Sequence, residues 1–196
     1  MNNTPIGNRL HIAIFGRRNA GKSTLINALT GQEIAVVSDV PGTTTDPVYK
    51  TMELLPLGPV VIIDTAGIDD VGHLGNLRVE KTYDVLRKTN FAIYVVDSEE
   101  GLTEFDKQFI EEIKSKEIPV ILVLNKSDKK RMEQSEINEY KKNLGIPVCE
   151  ISSINKQGIE ELKQLIAKHA KFDEADLTIV GDLINPGDVV VLVTPI

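Results

Sequence analysis

Gly16-Arg17-Arg18-Asn19-Ala20-Gly21-Lys22-Ser23 stands between the apolar run Leu10 to Phe15 and the amphipathic stretch Ser23 to Leu29. This is the spacing G-x-x-x-x-G-K-S/T in its required setting, a strand that ends in a glycine-bearing loop and opens a helix. The glycines let successive backbone N–H groups turn inward, and the helix N-terminus adds positive potential, so the loop predicts a phosphate cradle. The backbone of Asn19, Ala20, Gly21, Lys22, Ser23 and Thr24 is expected to line it. Lys22 is expected to reach the outer phosphates as a point charge, and the Ser23 hydroxyl to ligate magnesium.

Working outward, four more apolar runs of strand length follow: Val60 to Ile63, Phe91 to Val96, Val120 to Leu124 and Val148 to Ile151. They are rich in β-branched residues and lack polar alternation, as strands buried on both faces do. Helical patterns lie between and after them, at Leu77 to Lys88, Glu104 to Lys116, Gln134 to Asn143 and Ile159 to Lys171. Strand alternating with helix predicts an α/β fold with a mostly parallel sheet and helices on both faces. Tyr49 to Leu55, then Pro56-Leu57-Gly58-Pro59, then Val60 predicts a hairpin, so one of six strands is antiparallel and lies at an edge. No internal repeat or low-complexity segment interrupts the pattern.

The chain has 196 residues, 41% of them hydrophobic, which suits one full core and an appendage. The pattern changes after Lys171, and the boundary is placed near Phe172. Residues 1–172 are expected to form one domain. Residues 173–196, with Asn185-Pro186-Gly187-Asp188 and the terminal run Val189 to Val193, read as a linker and the cut start of another. The single cysteine, Cys149, rules out a disulfide or a thiolate metal cage within the chain, and its apolar strand predicts a core thiol. A net charge of −7 argues against a chain-wide nucleic-acid footprint. Without a basic-then-apolar leader or a long apolar run, the expectation is a soluble cytoplasmic protein, with no nucleic acid and no membrane among its partners.

Two further loops carry chemistry at strand ends. Asp64-Thr65-Ala66-Gly67 follows Val60 to Ile63, so Asp64 is expected to hold magnesium through water and the Gly67 N–H to contact the γ-phosphate. Asn125-Lys126-Ser127-Asp128 follows Val120 to Leu124. The Asp128 carboxylate can accept both N1–H and the exocyclic amine of guanine, an arrangement adenine cannot offer. The Lys126 stem covers one face of the base, and Asn125 braces the loop. Ser152-Ser153-Ile154, after the next strand, is expected to present a backbone N–H to the guanine O6. The predicted substrate is GTP, with GDP as product.

Together these elements resemble, in order and spacing, the Ras-like G domain of the translation-factor-like GTPases, over about Leu10 to Lys171. Pro41-Gly42-Thr43-Thr44-Thr45-Asp46 is similar to the Pro-Gly-x-Thr-Arg-Asp run of the TrmE, Era and EngA group. The resemblance implies that Thr44 ligates magnesium in the GTP state, and that Lys22, Thr44 and Gly67 form the catalytic set. Thr45 departs from the arginine common there. The phosphate loop also resembles that of the potassium-activated members, which implies that Asn19 coordinates a potassium ion. Ile68 stands where Ras-like enzymes place a water-positioning glutamine, so slow intrinsic turnover is expected. Gly75 falls where TrmE has an assisting glutamate, and Asp69, Asp70 and His73 are the polar residues left in that loop.

Stretches outside the motifs resemble a narrower family, the FeFe-hydrogenase maturation GTPases called HydF: Thr43 to Lys50, Met52 to Val60 and Asn185 to Ile196. That resemblance implies a nucleotide switch for cluster assembly, with the other maturases and the FeFe-hydrogenase as partners. It also implies homodimerisation through a region missing after Ile196, and no iron-sulfur cluster in this fragment. The alternative is an RNA- or ribosome-associated GTPase of the Era or TrmE kind.

Overall fold

The structure, a computed structural model, describes residues 9–31, 47–65 and 82–170. Thr44, Gly67, Ile68, Asp69, Asp70, His73, Gly75 and the tail after residue 170 lie outside the described residues, as does the boundary placed near Phe172. The described elements are β1 (Leu10–Phe15), α1 (Lys22–Thr30), β2 (Val48–Leu54), β3 (Gly58–Asp64), α2 (82–86), β4 (Phe91–Asp97), α3 (Glu104–Ser115), β5 (Val120–Asn125), α4 (Gln134–Leu144), β6 (Val148–Glu150) and α5 (Ile159–His169).

The six strands form one sheet in the order β2-β3-β1-β4-β5-β6. All neighbours are parallel except β2 and β3, which pair antiparallel from Val48 against Asp64 to Leu54 against Gly58. The hairpin read from the sequence is therefore present, and its antiparallel strand is the sheet edge. It extends β3 back to Gly58, because Pro59 pairs with Glu53 in that register.

Alternation along the strands decides which layer each residue enters. Ile12, Ile14, Val60, Ile62, Ile93 and Val123 face α1 and α5, where Leu25, Ile26, Leu162 and Ile166 are buried on them. Ala13, Phe15, Ile63, Tyr94, Leu122 and Leu124 face the other way, onto Leu86, Phe109, Ile110, Ile113 and Ile137. Cys149 is a buried thiol of the first layer. Burial pushes it up to about 12, so it stays protonated and unreactive at neutral pH.

Chain order places β1 beside β3 on one side and β4 on the other, so the winding reverses at β1. Open α/β sheets bind ligands outside the strand C-termini at such a point. Gly16 stands there with φ +143°, and a Cβ on it would lie 2.2 Å from the Val95 carbonyl oxygen. Only glycine lets the loop leave β1 that close to β4.

Candidate nucleotide site

The phosphate loop is closed by its own lysine. Lys22 Nζ donates to the carbonyls of Gly16 at 2.9 Å and Arg17 at 2.7 Å, which fixes the ammonium inside the loop it has to serve. Asn19, exposed, has a left-handed backbone with φ 61°, and Gly21 follows with φ 91°. Such reversals turn consecutive N–H groups to one side. Ser23 and Thr24 are exposed in the first turn of α1, so the helix N-terminus opens at the surface.

Asp64, at the end of β3, accepts a hydrogen bond from the Ser23 hydroxyl at 3.2 Å. Its carboxyl is held above the ordinary 3.8, because desolvation by burial outweighs the Ser23 bond and the charges of Lys22 and Lys50. A hydroxyl and a carboxylate that is costly to ionise alone form an oxygen donor set suited to a hard divalent cation. Those residues fit magnesium. Thr65 donates to the Ile14 carbonyl at 2.6 Å, which ties this loop to the strand that leads into the phosphate loop.

Asn125 joins the loop after β1 to the loop after β6. Its Nδ2 donates to the Ala20 carbonyl at 3.0 Å, and its Oδ1 accepts from the Ser153 N–H at 3.1 Å and hydroxyl at 2.9 Å. Every one of these groups is buried. The brace expected of Asn125 is thus a three-loop node. Asp128 is exposed, and the Ser152 hydroxyl donates to its Oδ1. For Ser152-Ser153-Ile154, expected to offer one backbone N–H to the base, the structure narrows the choice of donor. The Ser152 N–H donates to the Gln157 carbonyl and the Ser153 N–H to Asn125, which leaves only the N–H of Ile154, 68% exposed, to meet a base.

Lys126 has φ 66°, and its ammonium is anchored on Asp97 at the end of β4, 2.5 Å away. Neither sequence pattern nor motif pointed to Asp97, since its only signal is a strand-end position that the parallel register sets opposite Asn125. Burial raises the Asp97 carboxyl, but the Lys126 and Glu99 N–H bonds and the Lys126 charge outweigh it, so the net shift is down from 3.8. A folded value below the unfolded one contributes stability above the unfolded value, lost as pH falls through the folded one. The stability gap between the parent and Asp97→Asn, measured by urea unfolding, is therefore expected to hold at neutral pH and to shrink below pH 3.8.

Of the nucleotide set, the structure brings Asn19 to Thr24, Asp64, Asn125, Lys126, Asp128 and Ser152 to Ile154 to the C-terminal side of one sheet. Thr44 and Gly67 lie outside the described residues. Among the described residues no helix is long and apolar enough to cross a membrane.

Comparison with known proteins agrees with this geometry. The family described as 50S ribosome-binding GTPase matches residues 11–126. GTPase Der of Clostridium botulinum strain Langeland is 35% identical over 168 residues, covering 84% of this chain and 38% of Der. The tRNA modification GTPase MnmE of a Thermoanaerobacter species is 37% identical over 159 residues, covering 80% of this chain and 34% of MnmE. The chain thus spans little more than a third of these curated relatives. Among solved structures, Aquifex aeolicus Era bound to GDP and AlF4− superposes with a TM-score of 0.71 at 29% identity, covering 82% of this chain and 56% of Era. Era with MgGDPNP and nucleotides 1506–1542 of 16S ribosomal RNA gives 0.71 at 28% identity, covering 84% of this chain and 57% of that one. That Era binds RNA does not fit the expectation that this chain has no nucleic-acid partner. With the family matched over more than half its length and a six-stranded sheet that carries every described motif at a strand end, this chain is a G domain and belongs to the 50S ribosome-binding GTPase family, related to Der, MnmE and Era.

Proposed function

We propose that this chain binds GTP and hydrolyses it slowly, as the nucleotide-driven part of a longer protein. The observation that carries the reading is the Asn125 node, since one buried side chain sets the distance between the phosphate loop and the base loop. Lys22 meets the β- and γ-phosphates, and the loop N–H groups cradle them. Asp128, oriented by Ser152, selects guanine. Ser23 and Asp64, joined by Thr44, would hold magnesium, which when bound neutralises charge on the β- and γ-phosphate oxygens. Thr44 and the Gly67 N–H take these roles by resemblance, and Ile68 offers no hydrogen bond to water, which keeps turnover slow.

Asn19 is the potassium ligand in this reading, supported by an exposed amide in a loop resembling that of the potassium-activated GTPases. Phosphate release from GTP with magnesium is expected to be about tenfold faster in potassium chloride than in sodium chloride at equal ionic strength. Equal rates would remove the potassium assignment alone. No release in either salt would remove the hydrolytic reading.

The finer assignment is to hydrogenase maturation: residues 1–172 form the G domain and 173–196 open a dimerisation domain. The protein would act as a switch for cluster assembly alongside the other maturases and the FeFe-hydrogenase. Support comes from the long resemblance in Thr43 to Lys50, Met52 to Val60 and Asn185 to Ile196. A second reading, an RNA- or ribosome-associated GTPase, is favoured by the family description and by the Era complex with ribosomal RNA. Filter binding to total RNA across a salt series separates them. A net charge of −7 predicts no steep salt slope, and a steep slope would favour the RNA reading.

A further inference from the structure

The second residue of the phosphate loop is an arginine, and its side chain is held on the α3 side of the loop. Arg17 Nη1 lies 2.9 Å from Glu100 Oε2, Nε lies 3.3 Å from Asp106 Oδ1, and Nη2 donates to the Gly101 carbonyl at 3.0 Å. The Arg17 side chain is 18% exposed and that of Asp106 is 0% exposed. Asp106 belongs to the first turn of α3, where it completes a capping box with Thr103. The Tyr94 hydroxyl donates to its Oδ1 at 2.7 Å, and the Thr103 N–H and hydroxyl each donate to Oδ2 at 2.7 Å. The carboxylate is thus fixed from β4, from the α3 cap and from the phosphate loop at once.

The other end of Arg17 matters to the nucleotide. Its carbonyl accepts from Lys22 Nζ at 2.7 Å and from the Ala20 N–H at 3.4 Å. One residue therefore links a buried carboxylate on α3 to the cation expected to meet the phosphates. We propose that Arg17 and Asp106 are a positioning pair, in which α3 holds the guanidinium so that the Arg17 carbonyl keeps Lys22 aimed into the loop. This rests on the reading of Lys22 as the phosphate cation. A guanidinium is needed because its planar fork reaches Asp106, Glu100 and the Gly101 carbonyl together, which an ammonium on a flexible stem cannot do. Displacing the Arg17 backbone by a fraction of an ångström moves Lys22 with it, and misplacements of about 1 Å in such groups cost up to about 10²-fold.

The test compares Arg17→Lys, Arg17→Met, Asp106→Asn and the double variant Arg17→Met/Asp106→Asn with the parent. It reads GTP affinity, the preference for GTP over xanthosine triphosphate, and thermal unfolding. Each single variant is expected to weaken GTP about tenfold, with Arg17→Lys failing to rescue, and the double variant to be no weaker than the worse single one. The guanine preference is expected to stay unchanged, because the pair touches the phosphate half only. Variants that melt earlier yet bind GTP within about twofold of the parent would overturn the proposal, as would multiplicative losses in the double variant. Should Asp106→Asn not fold, the Arg17 variants decide alone, since that side chain is partly exposed. A parent chain that bound no guanine nucleotide would sink the site reading, and the pair with it, whereas a parent that binds GTP isolates the pair.

Discussion

Asp128→Asn is expected to lower GTP affinity on the order of 10³-fold and to improve binding of xanthosine triphosphate, because the substitution inverts one member of a donor-acceptor pair. A carboxylate accepts from N1–H and from the exocyclic amine of guanine. An amide keeps one acceptor and turns a donor toward the other position, where guanine also presents a donor. Two donors face each other, neither finds a partner, and the loss corresponds to about 4 kcal/mol. Xanthine carries a carbonyl in place of that amine, so the amide donor finds a partner again. The Ser152 hydroxyl donates to Asp128 Oδ1 and limits how far the group can swing to escape the mismatch. Competition binding with both nucleotides checks this. An unchanged preference would remove Asp128 from the base contact.

Asn125→Ala is expected to unfold the nucleotide-free chain at lower temperature and to abolish measurable GTP binding. The variant leaves the Ala20 carbonyl and the Ser153 N–H and hydroxyl, all in buried residues, without the partner that now satisfies them. Orphaned buried polar groups cost about 1–3 kcal/mol each, and because the three share one side chain the total is about 3 kcal/mol rather than their sum. For a chain of this size that is a fall of roughly 6–12 °C in melting temperature. Binding suffers further, since the phosphate loop and the base loop lose their common brace and the two ends of the nucleotide no longer meet a fixed spacing. Asn125→Asp keeps the acceptor for Ser153 but sets a buried carboxylate oxygen against the Ala20 carbonyl, so it should be no more stable than Asn125→Ala and should bind GTP as poorly. Equal GTP affinity in the parent and in Asn125→Ala would refute the bracing role.

Much of the site was legible because its chemistry is continuous in the chain. Gly16 to Ser23 and Asn125 to Asp128 each carry their meaning in fewer than ten consecutive residues, at the ends of strands whose apolar runs announce themselves. The hairpin that turns β2 antiparallel was equally local, with its turn residues between two strand-like runs. Less legible was the function of Ser152-Ser153-Ile154, since its N–H groups could be assigned only once Gln157 and Asn125 were seen to take the first two.

Sequence by itself determined the alternation of elements, the guanine-nucleotide chemistry and the buried character of Cys149, because period, turn residues and backbone cradles act over a few neighbouring residues. Tertiary structure alone decided which partners those side chains meet to hold the site in shape. Asp97 meets Lys126 across 29 residues, and Asn125 meets the Ala20 carbonyl across 105. Arg17 meets Asp106 where α3 packs beside the phosphate loop. No periodicity encodes such pairs, since each depends on where the parallel register and the packed helices bring distant chain segments, and only burial makes their hydrogen bonds strong enough to govern a binding site.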